Sequence, residues 1–335
     1  MEKQRKKEKP ASSRQIFCLS GPLHLTSVDW DNFHDRRSVA ASLVQGVYIL
    51  ERDRQENRKD PLAHAPAWWE FFNFQLFHIL VDDVDNSIFG AIFQSKPCLV
   101  ISSWTSSVSA IDFMKALVLQ QAMQAAESLF SVYRNSSIWL TGHSLGSAIS
   151  LLIGKNMTKM GYNVEAYLFN PPFLSAPVEG IKSERLKHGI RFTSSVVKAG
   201  LAFAVKGRNL RHEQNDPFTS LSSWRPYLFV NPSDLICSGY IGYFEHRKKM
   251  EEIGAGKIER VATQVGSLLS GSGLQRSESE PLHLIPSAHL TINLRHSPDF
   301  KHAHGIHQWW DNGFIGLSEL HEYRPFVTDE KYLLR

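Results

Sequence analysis

The segment Ile138-Trp139-Leu140-Thr141-Gly142-His143-Ser144-Leu145-Gly146-Ser147-Ala148 runs from a short apolar stretch through G-x-S-x-G into a run of small and apolar residues. A strand that turns at once into a helix forces its turn residue into a positive-φ conformation. The two backbones then pass so closely that side chains are excluded between them. Glycine two positions before and two after Ser144 meets that demand. Ser144 is expected to project its hydroxyl at the helix N-terminus, where the Leu145 N–H and the positive end of the helix dipole stabilise an oxyanion. A bare G-x-S-x-G arises by chance roughly 0.1 times in a chain of this length at ordinary glycine and serine frequencies. The apolar strand before it and the helix after it are what give the motif weight.

The rest of the composition fits a large α/β chain. With 335 residues, 42% of them hydrophobic and 21% charged, the sequence can bury a sizeable core, which excludes disordered and collagen-like chains. Lys and Arg total 37 against 33 Asp and Glu. Much of the excess lies in the N-terminal run Lys3, Arg5, Lys6, Lys7 and Lys9, so the body is close to neutral and nucleic acid is not expected as a partner. Residues 1–15 read as a basic disordered arm and 16–325 as a single domain. The Ser/Gly-rich run at 264–281 is expected to form a flexible loop. Cys18, Cys98 and Cys237 are odd in number and far apart, which favours free thiols over a disulfide framework. No apolar core follows the basic N-terminus, and no stretch reaches the length of a membrane span. The expectation is a cytoplasmic protein, with contact to a lipid surface through the basic arm as a further option.

Periodicity predicts helices over Ser38–Arg54, from Pro66 with Trp69, Phe72, Leu76 and Ile79 on one face, over Ala110–Phe130 and over Ser147–Met160. Short β-prone runs lie at Ser87–Phe93, Cys98–Ser102, Ile138–Thr141, Val164–Phe169 and Tyr227–Val230. Strand and helix alternate, which predicts a mostly parallel sheet and the α/β class.

A serine hydroxyl is a weak nucleophile until a base takes its proton, and that base needs a carboxylate to orient it. The chain order expected with this turn is Ser, Asp, His. Asp234 is the favoured acid because it follows the strand Tyr227–Val230 by a short turn, which places it at the carboxyl edge of the sheet. Asp216 competes but has no strand leading to it. The histidines downstream are His283, His289, His296, His302, His304 and His307, the last three lying after all the expected strands. His302-x-His304-x-x-His307 also has the look of a metal site, but the surrounding ligand set is poor and no metal is assigned.

With these residues in view, the sequence resembles the class 3, fungal-lipase-like branch of the α/β-hydrolases, and within it a plant group often labelled GDSL esterase/lipase. The resemblance rests on Leu19-Ser20-Gly21-Pro22-Leu23-His24-Leu25-Thr26, Ser42-Leu43-Val44-Gln45 and Trp68-Trp69-Glu70-Phe71-Phe72-Asn73-Phe74. It continues through Gly142-His143-Ser144-Leu145-Gly146, Tyr167-Leu168-Phe169-Asn170-Pro171-Pro172-Phe173 and Tyr227-Leu228-Phe229-Val230-Asn231-Pro232 to Ala303-His304-Gly305-Ile306-His307-Gln308-Trp309-Trp310. It implies an α/β-hydrolase fold and a serine esterase or lipase that needs no metal or organic cofactor and takes an ester or lipid substrate. The implied nucleophile is Ser144, the acid Asp234 and the base His304, whose spacing to Trp309 suits the plant group, with His307 as the alternative. The implied oxyanion donors are Leu145 and Thr105.

One stretch departs from the family. Where its members carry Phe-Arg-Gly-Thr or similar, this chain reads Leu99-Val100-Ile101-Ser102-Ser103-Trp104-Thr105, and the likeness fades between about Gln94 and Gln121 as it would after a shifted frame or altered splice. A weakened oxyanion hole, and with it a non-catalytic binding or signalling role, is the rival expectation. The loss of one oxyanion donor costs about 10²–10³ in rate.

Overall fold

The computed structural model describes residues 21–25, 27–95, 98–103, 112–133, 137–173, 219–252 and 283–323. The basic arm at 1–15, Trp104 and Thr105, Asp216 and the run at 264–281 lie outside the described residues.

Eight strands form one sheet in chain order: β1 (Gln75–Val81), β2 (Ile88–Ser95), β3 (Cys98–Ser103), β4 (Ser137–His143), β5 (Glu165–Phe169), β6 (Tyr227–Val230), β7 (Ala288–Asn293) and β8 (Gly316–His321). β3 to β7 run parallel, while β1, β2 and β8 are antiparallel to their neighbours. The carboxyl edge of the parallel strands is where open α/β sheets gather their chemistry.

The strands read as nearly continuous apolar runs because both faces of the sheet are covered. Ile138 and Leu140, Ala166 and Leu168, and Leu228 and Val230 belong to one core. There they meet helices α3 (Asp112–Val132), α4 (Leu145–Lys159) and α5 (Gly239–Glu252). The intervening Trp139, Tyr167, Phe169 and Phe229 face the opposite core, built on α1 (Phe33–Gln55), the short α2 (Ala67–Glu70) and Trp309 and Trp310. α1 is set by its start: the Asn32 side chain accepts from the His34 N–H at 2.8 Å, with Asp35 in the first turn and Arg52 and Arg54 in the last. Its Val39, Leu43, Val44 and Val47 are fully buried.

Three expectations are corrected. The aromatic helix after Pro66 stops at Glu70, and Leu76 and Ile79 belong instead to β1. Asn73 takes a left-handed φ of 59°, which ends the helical path, and the following Leu-Phe-His-Ile-Leu-Val prefers an extended edge strand. The three-and-four spacing of Trp69, Phe72, Leu76 and Ile79 is coincidental. The sheet also gains β7 and β8, so His302, His304 and His307 precede the last strand rather than following all of them. Finally, α1 begins at Phe33, a full turn before Ser38, where the Asn32 cap places its start.

Candidate active site

The motif lies where β4 becomes α4. Ser144 is the single residue between them and has φ 54° and ψ −124°, a conformation costly for a residue with a Cβ. Its backbone is held by the Ser144 N–H donating to Phe169 O on the neighbouring strand at 3.0 Å. A Cβ at Gly142 would lie 2.4 Å from Gly146 O and 2.6 Å from Ser147 N, both backbone atoms of the helix start. Only glycine fits there. The Leu145 N–H is the first of α4 and has no intrahelical acceptor.

Two strands away, the turn Asn231–Asp234 follows β6, its Asp234 N–H closing on Asn231 O at 3.0 Å. Asp234 is fully buried. Its Oδ2 accepts from His304 Nδ1 at 2.8 Å and from Asn170 Nδ2 at 2.7 Å, and its Oδ1 accepts from the Ile236 N–H at 3.0 Å. Burial alone would raise the Asp234 carboxyl, but the hydrogen bond and charge of His304, with the Asn170 and Ile236 donors, outweigh it and hold it below the usual carboxylate range. An ionised Asp234 only accepts, so His304 Nδ1 carries its proton and Nε2 keeps its lone pair.

His304 arrives on the short α6 (Phe300–His304), capped by Asp299 accepting from the His302 N–H at 2.9 Å. Its backbone is gripped as firmly as its ring. The His304 carbonyl accepts from His143 Nε2 at 2.6 Å, and His143 Nδ1 lies 2.6 Å from Tyr48 Oη. A carbonyl cannot donate, so Nε2 holds the His143 proton and Nδ1 accepts from the tyrosine. Burial, reinforced by His304, pushes the His143 imidazole down to about 3, so it stays neutral. The residue next to Ser144 thus holds the candidate base, the two imidazole rings lying 4.8 Å apart. Ser144 Oγ is not among the described hydrogen-bond partners of His304.

The other candidate histidines, at 283, 289, 296, 302 and 307, are not part of this arrangement. His302 pairs with Asp299 at the surface, and His307 is exposed, its ring lying 6.1 Å from that of His302 between centroids. His283 packs edge-on to Phe173, His289 stacks on Tyr227, and His296 is exposed. Among the described residues, no group of three or more His, Cys, Asp or Glu is placed to hold a metal ion, and no helix is long and apolar enough to cross a membrane. Cys98 and Cys237 are free thiols, both buried.

Ser103 is buried at the end of β3. Its Oγ donates to Gly146 O at 2.8 Å and lies 2.9 Å from Ser150 Oγ, which tethers the end of β3 to the first turn of α4. Four contributors to the site escape sequence reasoning: Tyr48, Asn170, Gln308 and the side chain of His143. Asn170 offers a faint signal as an asparagine at a strand end before two prolines, a place where left-handed backbone is tolerated.

Residues 77–176 match the family described as Lipase (class 3). An Arabidopsis thaliana protein named GDSL esterase/lipase is 48% identical over an alignment covering 93% of this chain and 99% of that protein. Its name does not match the candidate nucleophile here, since Ser144 lies in G-H-S-L-G. Similar solved structures include a lipase from Rhizopus microsporus var. chinensis (TM-score 0.34, 11% identity, covering 61% of this chain and 69% of that one). Another is the Rhizomucor miehei lipase propeptide complex (TM-score 0.34, 10% identity, 70% and 76% covered). The chain belongs to the class 3 lipase family, carboxylic ester hydrolases of the α/β-hydrolase fold.

Proposed function

We propose that this enzyme cleaves acyl-lipid esters through a Ser144–His304–Asp234 triad and an acyl-enzyme. The observation that carries the reading is the Asp234–His304 hydrogen bond at 2.8 Å beside a strained Ser144. The lipase family and the esterase/lipase relative support the acyl-ester substrate class.

Ser144 Oγ attacks the ester carbonyl as His304 Nε2 takes its proton. The resulting imidazolium is stabilised by Asp234, which keeps its negative charge. The carbonyl oxygen becomes an oxyanion beside the Leu145 N–H at the head of α4, with Thr105 in the role of second donor. His304 then returns the proton to the departing alcohol, leaving Ser144 acylated. Water, deprotonated by the same imidazole, attacks the acyl-enzyme and releases the carboxylic acid. In this scheme the imidazole and the serine move the protons, and the protein's share is orientation and charge stabilisation.

The test is hydrolysis of p-nitrophenyl butyrate and laurate and of an emulsified triacylglycerol by the wild-type protein and by Ser144→Ala. Turnover of the long acyl esters that disappears in the variant is the expected result. Turnover surviving in Ser144→Ala would overturn the assignment of the nucleophile. Activity confined to the short ester would overturn the acyl-lipid part.

A further inference from the structure

The acid and the base meet over a buried amide. Asn170 closes β5, is fully buried, and has a left-handed φ of 48°. Its Oδ1 accepts from Trp309 Nε1 at 2.7 Å, while its Nδ2 donates to Asp234 Oδ2 at 2.7 Å and to Ala303 O at 3.1 Å. These partners fix which way the amide points, because an indole N–H only donates whereas a carbonyl and an ionised carboxylate only accept. Both amide hydrogens are thereby engaged.

We propose that Asn170 is a positioning residue for the catalytic pair, its single planar amide setting both the carboxylate oxygen of Asp234 and the backbone that carries His304. This rests on the triad reading above. Asp234 Oδ2 receives the Asn170 N–H at 2.7 Å and the His304 Nδ1–H at 2.8 Å, with the weaker Cys237 S–H donor at 3.3 Å, so the amide is the shortest contact that fixes where that oxygen stands when the imidazole reaches for it. Ala303 immediately precedes His304, so the second N–H anchors the base's own main chain.

Gln308 completes the cradle from the other side. Its Nε2 donates to Ala303 O at 2.7 Å and to Gly305 O at 2.9 Å, while its Oε1 accepts from Asn231 at 2.7 Å and Asn293 at 2.8 Å. The carbonyls on both sides of His304 are therefore held, and that of His304 itself is held by His143. Asn170 is the member of this set that also touches the acid.

The backbone conformation gives a clean way to separate the amide from the turn. Asn170→Gly tolerates the left-handed φ while removing the amide's hydrogen bonds to Asp234, Ala303 and Trp309, so the turn survives without its amide. The proposal expects kcat/KM for p-nitrophenyl butyrate to fall about tenfold to a hundredfold, chiefly through kcat, since orientation is lost and binding is not. With the neutral donor gone, the Asp234 charge acts more fully on the imidazolium, so the acid limb of kcat/KM moves to higher pH. If Asn170→Gly does not fold, Trp309→Phe frees Oδ1 and releases the amide from its set angle, with a smaller loss and the same direction of shift.

Folded Asn170→Gly or Trp309→Phe with wild-type kcat and an unmoved acid limb would overturn the proposal, as would a loss confined to KM. Ser144→Ala, assayed alongside, keeps the two readings apart. If it retains turnover, the triad reading fails and this proposal with it. If it is inactive while the Asn170 and Trp309 variants behave as wild type, the positioning role alone fails.

Discussion

Replacing Gly142 with alanine adds one methyl group where β4 and α4 cross. That methyl would stand 2.4 Å from Gly146 O, 2.5 Å from Gly146 C and 2.6 Å from Ser147 N. None of these is the free end of a side chain, so the helix start itself must retreat by about 0.6–1 Å to reach an ordinary contact. Forced overpacking of this kind costs about 1–3 kcal/mol, and the involvement of backbone alone puts Gly142→Ala at the upper end, about 3 kcal/mol. In a domain of this size that lowers Tm by roughly 6 °C. The same retreat displaces Ser144 and the Leu145 N–H relative to His304, and a shift of about 1 Å costs on the order of 10²-fold in rate. Gly242 in α5 is the control, since it is exposed, helical and has nothing within 4 Å of an added methyl. Gly242→Ala should gain about 0.5–1 kcal/mol and leave kcat alone. Differential scanning calorimetry and p-nitrophenyl butyrate kinetics on both variants read the two effects. A Gly142→Ala protein with the Tm and kcat/KM of the wild type would refute the claim that this close crossing positions the nucleophile.

Asp234→Asn should lower kcat by about 10⁴ with little change in KM, because the amide favours the wrong imidazole tautomer; steady-state kinetics at neutral pH decide it. Tyr48→Phe leaves His143 Nδ1 buried without its donor and should cost about 1–3 kcal/mol in urea unfolding; no change would mean that water replaces the hydroxyl. Stability should also fall on acidification well above the carboxylate range. Burial holds His143 at about 3 and, with Lys155 nearby, His283 at about 3, whereas in the unfolded chain both take up protons below about 6.5. Stability tied to their neutrality is therefore full above that pH and declines beneath it, by roughly 2 kcal/mol each between pH 6.5 and 5. Asp234 does not enter that window, since its contribution is lost only as pH drops below its ordinary value of 3.8. Denaturant midpoints at pH 7.5 and 5 check this, with His283→Gln expected to reduce the dependence by about half.

The chemistry that is legible in the sequence is written in adjacent residues. Gly142, Ser144 and Gly146 announce their turn because the steric demand is met within five consecutive positions. Asp234 is legible because Tyr227–Val230 is a short apolar strand closed by Pro232, so the turn after it has to lie at the sheet edge. The choice between His304 and His307 is not legible. It depends on whether a five-residue helix capped by Asp299 brings one ring rather than the other over Asp234, which is a matter of tertiary path. β8 escapes sequence reading because Gly-Leu-Ser-Glu-Leu-His is an exposed edge strand whose existence depends on pairing with β7. Asn170, Gln308 and Tyr48 are silent for the same reason. Buried amides and hydroxyls declare a role only when residues more than sixty positions away arrive beside them.

The most direct measurement is mass spectrometry of the full-length protein after reaction with a fluorophosphonate, followed by digestion to locate the adduct. The account predicts a single phosphonyl group on Ser144, absent from Ser144→Ala and formed far more slowly in His304→Ala and Asp234→Asn. An adduct on another residue, or wild-type labelling rates in the His304 and Asp234 variants, would contradict it.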